Sequence, residues 1–335
     1  MHPILVPGTH PLRRSSGELQ VGLDPDRAVV LPDSPEVRIC LRLLGEAADQ
    51  SRYDAPAAAV LAALRAHGLV VDADGLNGSP ANPSATAALA VRAGARTATA
   101  LRQRAGLRVA VAAAGHPAAQ ELADELRALL TSLGVTTRAH ARPRRRGARM
   151  VQPPRPGLLV LVAVGEPRRD LPDELVRDDV AHLLVRFGEG AGTLGPLVVP
   201  GRTACLRCID AHLTDTDPAW PLLVEQQAAA AARGRRDGVA EPLDPTLVRL
   251  VLGWTAREVT DHAERRTPAT WSSTLRVGGP AIEPAGPVGP AGSAGPQEHV
   301  QSAAGEPVAR STGWLRHPEC GCGAQTLARS ATMGA

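Results

Sequence analysis

The chain has 335 residues, 44% of them apolar, which supports a sizeable core and two domains and excludes a wholly disordered chain. All 37 basic residues are arginine, so a P-loop lysine, a Schiff-base lysine and a lysine on an ATP phosphate are excluded. The net charge of +3 is too small to argue for nucleic acid or a membrane surface as partner.

With one Tyr, one Phe and four Trp, the core has to be built from Ala, Val and Leu. The opening "MHPILVPGTHPLRR" lacks the charged-then-apolar order of a secretory signal, and no apolar run is long enough for a membrane span. The expected compartment is the cytoplasm, where thiols stay reduced.

Residues 18–33 read as a β-hairpin, two short apolar runs around the turn signal Asp24-Pro25-Asp26. Residues 35–48 read as a helix with Val37, Cys40, Leu41 and Leu44 on one face. A second helix, 55–67, repeats that spacing with Ala57, Val60, Leu61 and Leu64, and "LVVD" follows as a strand. Hairpin, helices and strand make a winged-helix-like module over residues 1–75. Residues 73–85 have linker composition, and an Ala/Arg-rich helix is predicted over 84–104, so 76–106 reads as a linker helix.

The third region, 107–335, opens with a β-α-β unit: strand 107–115, helix 117–134 and strand 135–141. That order predicts parallel strands and an α/β fold. The basic run Arg142 to Arg149 reads as a solvated linker before the buried strand "GLLVLVAV". A short helix near 173–181 and the strand "HLLVRF" continue the alternation. Asp244 followed by Pro245 is a helix start, and the helix runs to about Glu264. "STLRVGG" is a late strand, and residues 278–308, rich in Pro, Gly and Ala, read as a disordered loop.

Cys205 and Cys208 form a C-x2-C pair at a helix start, in a chain with five cysteines. Alone, the pair admits three readings: a redox couple, half of a metal site, or two buried thiols. A second pair, Cys320 and Cys322, stands far down the chain beside Gly and Pro. Two such pairs suit a tetrahedral four-thiolate zinc site, closed to water and therefore structural. The redox and unliganded readings remain its alternatives. Cys40 reads as core. His317 reads as a solvated residue or a zinc neighbour, and Asp215 and Asp217 as a turn at a helix end.

Strand 107–113 and the turn after it stand where a nucleotide-binding loop would be, but the pattern is degenerate. The three glycine positions fall on Ala113, Gly115 and Ala118, so only the middle glycine is present. The next strand offers no acid for a ribose hydroxyl. These residues argue against ATP binding.

"GPLVVPGRTACLRCIDAHLTDTDPAWP" with a terminal "HPECGC" resembles the ThiF-like proteins of thiazole/oxazole-modified peptide biosynthesis, within the ubiquitin-activating-enzyme-like superfamily. "LQVGLDPDRAVVLPD" with its following helices resembles their leader-recognition module. The resemblance implies a Rossmann-like ThiF-type domain behind an N-terminal winged-helix-like domain. It also implies a non-catalytic partner that binds a precursor leader and presents the peptide to a YcaO-type cyclodehydratase for azoline formation. Zinc would sit on Cys205, Cys208, Cys320 and Cys322. The superfamily's ATP-binding residues are not carried over, and homodimerisation is implied by analogy alone. Leader capture would add a strand beside residues 28–32 against helix 55–67. It would use Val29, Leu31, Leu61 and Leu64, with Arg65 for acidic leader residues, although each of these also fits a plain core role. The alternatives are a ThiF-like ATP-dependent adenylyltransferase and a winged-helix DNA-binding regulator. Helix 55–67 carries only Arg65 as a basic residue, which speaks against DNA.

Overall fold

The computed structural model describes residues 1–77, 81–140, 144–146, 149–151, 154–235, 237, 239–278, 298–301 and 309–323. It divides into two compact units, Met1–Gly106 with Thr131–Val135, and Leu107–Leu130 with Thr136–Ala335.

In the first unit, β1 (Pro3–Leu5) is followed by β2 (Pro11–Arg13), β3 (Glu18–Val21) and β4 (Val29–Pro32). Strands β2, β3 and β4 form an antiparallel sheet in that order, with β4 at one edge. Helix α1 (Pro35–Gly45) starts where Ser34 accepts the Val37 N–H, and α2 (Ala55–Ala66) where Asp54 accepts that of Ala57. Strand β5 (Val70–Asp72) pairs antiparallel with β1. The core gathers Val21, Cys40, Leu44, Leu61, Leu64 and Leu69. The hairpin and both helices thus fall where the periodicity places them. Strands β1 and β2 were not foreseen, because three residues beside prolines carry no periodic signal. The single helix expected over 84–104 is two, α3 (Pro83–Ala93) and α4 (Thr97–Gly106). The break falls at Gly94, whose φ of +54° leaves the right-handed helix.

The second unit is α/β. Its elements are β6 (Arg108–Gly115), α5 (Ala119–Ser132, whose last two residues fall in the first unit), β7 (Thr136–Ala139), β8 (Arg144–Arg146), β9 (Arg149–Val151) and β10 (Leu158–Val164). Then come α6 (Asp170–Arg177), β11 (His182–Gly188), β12 (Ala191–Val198), α7 (Leu206–Thr216), α8 (Trp220–Arg233) and α9 (Pro245–Ala263). Strands β13 (Ser273–Gly278), β14 (Glu298–Gln301) and β15 (Ala309–Gly313) complete it. An eight-stranded mixed sheet runs in the order β14-β15-β13-β12-β11-β10-β6-β7. The β6-α5-β7 unit is parallel, as its order dictates, and so are β6–β10 and β10–β11. From β11 outward every pairing is antiparallel.

Strand β10 is buried along its whole length, as a parallel strand covered on both faces must be. Two expectations change. The basic linker contains the antiparallel strand pair β8–β9. The expected disordered loop 278–308 includes β14 and the end of β13; its residues 279–297 and 302–308 lie outside the described residues. Among the described residues no helix is long and apolar enough to cross a membrane.

Candidate metal centre and peptide-binding edge

Strand β12 ends at Val198, and the turn after it is tied by the Thr203 hydroxyl, which accepts the Val199 N–H at 2.8 Å. Cys205 is the residue that caps α7, and Cys208 lies in its first turn. The second pair sits where the chain returns after β15. The Cys320 N–H donates to the His317 carbonyl at 3.1 Å, and Cys322 lies in a single 3-10 turn, Gly321–Gly323.

The four sulfurs converge. Cys205 Sγ is 3.7 Å from Cys208 Sγ and 3.6 Å from Cys320 Sγ, and Cys208 Sγ is 3.4 Å from Cys322 Sγ. A zinc ion bound tetrahedrally at about 2.3 Å from each sulfur would space them at about 3.8 Å. The chain fits that spacing and that donor set. Leu184, Val198, Leu206 and Trp314 enclose the cluster. The electrostatics of the cluster also suit a cation. Hydrogen bonds from Cys205 and Cys322 hold the Cys208 thiol well below its usual range. Bonding to Cys208 and Cys322, then burial, pushes Cys205 up. A negative charge on one sulfur opposes ionisation of its neighbours. A divalent ion removes that opposition, and the start of α7 adds a favourable dipole.

His317 is not a ligand of this cluster but a fastener beside it. Its Nδ1 accepts the Glu319 N–H at 3.2 Å, so its Nε2 carries the proton and donates to Asp215 at 3.0 Å. His212 bonds the Leu315 carbonyl at 3.0 Å and meets the His317 ring edge-on at 4.8 Å. Asp215, read from sequence as a turn residue, therefore anchors the returning segment to α7. Asp217 does sit in the turn, accepting the Ala219 N–H at 3.0 Å.

At the degenerate nucleotide loop, Ala113 is exposed and Gly115 has a φ of +75°. A Cβ on Gly115 would lie 2.2 Å from the Val164 carbonyl oxygen, so close approach of β6 to β10 demands this glycine. The N–H of Ala118, a donor that a phosphate would use, goes instead to His116 Nδ1 at 3.2 Å. Helix α8 lies over the carboxyl ends of the strands. A Cβ on Gly165 would come within 2.4 Å of the Ala231 Cβ, and one on Gly234 within 3.2 Å of His116 Nε2.

In the first unit, Val29 and Leu31 are half-buried against the core, and Val30 between them is 44% exposed. Leu61 and Leu64 are fully buried and present no surface; they are core, which corrects their candidacy as contacts. Arg65 is partly exposed and donates to Gln50 Oε1 at 3.1 Å. The backbone of β4 fixes what its free edge offers. The Asp33 N–H donates to the Gly17 carbonyl at 2.8 Å, and Leu31 stands opposite Leu19. In an antiparallel ladder bonding alternates, so Val30 points its N–H and C=O away from β3. Pro32 brings no N–H to that edge, and its carbonyl is taken by the Ser34 N–H at 2.9 Å.

A partly buried ionic network escaped the sequence reading. Arg169 makes a two-pronged contact with Asp210, at 2.7 and 2.8 Å, and reaches Glu166 at 2.7 Å. Glu166 also takes Arg186 at 3.0 Å, and Asp210 accepts the Trp220 indole N–H at 3.1 Å. In "GEPRRD" these charges look like an ordinary loop, and nothing in their spacing points to partners on other elements.

No family model and no curated protein matches the sequence. Solved structures do match in fold. The heterocyclase TruD aligns with a TM-score of 0.55 at 17% identity over 82% of this chain and 39% of its own. The microcin C7 biosynthetic enzyme MccB in complex with N-formylated MccA aligns with a TM-score of 0.53 at 11% identity, over 96% of this chain and 100% of its own. E. coli MccB with AMPCPP and MccA gives 0.54 at 12% identity, over 96% of this chain and 100% of its own. The chain therefore shares their fold, and it spans about two fifths of the heterocyclase's length.

Proposed function

We propose that this chain is a non-catalytic peptide-binding partner in the biosynthesis of ribosomally made, azoline-containing peptides. It captures the leader of a precursor peptide and presents it to a YcaO-type cyclodehydratase. The observation that carries the reading is the open edge of β4, where Val30 turns an unpaired N–H and C=O outward beside half-buried Val29 and Leu31. An extended peptide added there gains main-chain hydrogen bonds, and alternate side chains find the apolar flank. Val29, Leu31 and Arg65 are the proposed contacts in this chain. A zinc ion on Cys205, Cys208, Cys320 and Cys322 would hold the returning segment on α7 and take no part in chemistry.

Two further observations support a partner rather than an ATP-using enzyme: Ala113 and His116 stand where phosphate contacts would be, and the end of α8 fills the space beside them. The structural neighbours, a heterocyclase and a microcin biosynthetic enzyme seen with MccA, are consistent with a peptide as the thing bound. The test is a titration of the labelled leader of the precursor encoded beside this chain against the full chain. Binding at micromolar or tighter Kd supports the reading, and no binding overturns it.

A second reading is an ATP-dependent adenylyltransferase, favoured by the match over the full length of MccB, which was seen with AMPCPP. Pyrophosphate exchange by the purified chain would establish it; none is expected.

A further inference from the structure

A row of arginines crosses the antiparallel half of the sheet. Arg186 stands opposite Thr193, Thr193 opposite Arg276, and Arg276 opposite Arg310. Directly opposed residues project from one face of a sheet, so three guanidinium groups share that face. All four residues line a cavity of about 630 Å³. Its other walls include Ile209 and Leu213 of α7 and Trp220 and Leu223 of α8. The volume lies within the roughly 300–1,000 Å³ of small-ligand sites.

Of the three acids that line this cavity, Glu189 is exposed and the other two are already paired. Glu166 is committed to Arg169 and Arg186, and Asp210 to Arg169 and Trp220. The buried Nε–H of Arg186 has no partner among the described residues. Among the described residues no hydrogen bond or ion pair engages the Arg276 side chain. An oxyanion beside Arg276 would supply the partner its side chain lacks, because guanidinium pairs carboxylate and phosphate through two parallel hydrogen bonds.

We propose that this cavity binds an oxyanion, a carboxylate or phosphate, carried on an apolar body that packs against Trp220 and Leu213. The site lies within the second unit and does not depend on the leader-binding reading. Its recognition is built from Arg276 and the free Nε–H of Arg186, with Thr274 and Thr312 in the next cross-strand row.

The test uses the full zinc-loaded chain and three probes of similar body: 3-phenylpropionate, phenyl phosphate and neutral 3-phenylpropanamide. Quenching of Trp220 and Trp314, which both line the cavity, and calorimetry report binding. At least one acid is expected to bind with a Kd below about 1 mM while the amide does not. The tighter acid identifies the source of the oxyanion. Arg276→Gln, at an exposed position, is expected to weaken that acid about tenfold while leaving leader binding unchanged. The proposal is overturned if neither acid binds, if the amide binds equally well, or if Arg276→Gln leaves the affinity unaltered.

Discussion

Cys208 Sγ lies 3.4 Å from Cys322 Sγ, although 114 positions of sequence separate them. That contact fastens the returning segment to α7, and with zinc it becomes a closed tetrahedral clamp. The purified chain is expected to carry about one zinc ion by elemental analysis. Cys322→Ser should lose most of it and lower the thermal midpoint by several degrees. Thiol labelling gives an internal control. Cys40 is pushed up to about 11 by burial and should react slowly before and after chelation. Cys205, Cys208, Cys320 and Cys322 should react only after chelation. Metal-free protein with unchanged stability would contradict this.

His182 sets an expected pH dependence. It is fully buried at the start of β11, its Nδ1 is 3.0 Å from the Val180 carbonyl oxygen, and among the described residues its Nε2 has no partner. Burial lowers its pKa from 6.5 to about 4. Between those values the unfolded chain binds a proton that the folded chain refuses, so stability is full above about pH 6.5 and falls as pH drops towards 4. The loss across that window is about 3 kcal/mol at most. Urea unfolding at pH 7 and pH 5 checks it: His182→Leu should show a shallower acid loss than the wild type, and parallel losses would count against the assignment.

Gly115 is required by close contact within the sheet. A methyl group there would meet the Val164 carbonyl oxygen at 2.2 Å, on a backbone with φ of +75°. Gly115→Ala is therefore expected to destabilise the chain by about 2 kcal/mol or more, with no effect of added ATP on the thermal midpoint of either protein. A stable variant, or an ATP-dependent rise in the midpoint, would reopen the nucleotide reading.

How far the sequence could be read depended on whether a signal was local. The α1 and α2 faces, the Asp244 cap and the β6-α5-β7 order follow from spacing within a dozen or two residues. The two cysteine pairs could be read together because thiols at such spacings have few other uses. The arginine row could not be read, since Arg186, Arg276 and Arg310 become neighbours only through strand registers. The Asp215–His317 contact has the same character. Leu61 and Leu64 illustrate another limit. A helical stripe marks a buried face, but it does not say whether protein core or a ligand buries it, and here the core does.

The most direct test of the central claim is a leader titration against the full chain and its Val30→Pro variant. Val30 points its N–H to the open edge of β4, so proline there removes a docking donor and no bond to β3. The account predicts that the leader binds the wild type at micromolar Kd or tighter and the variant at least about tenfold more weakly, with similar thermal midpoints. Equal affinity in the two proteins, or no binding to the wild type, would contradict it.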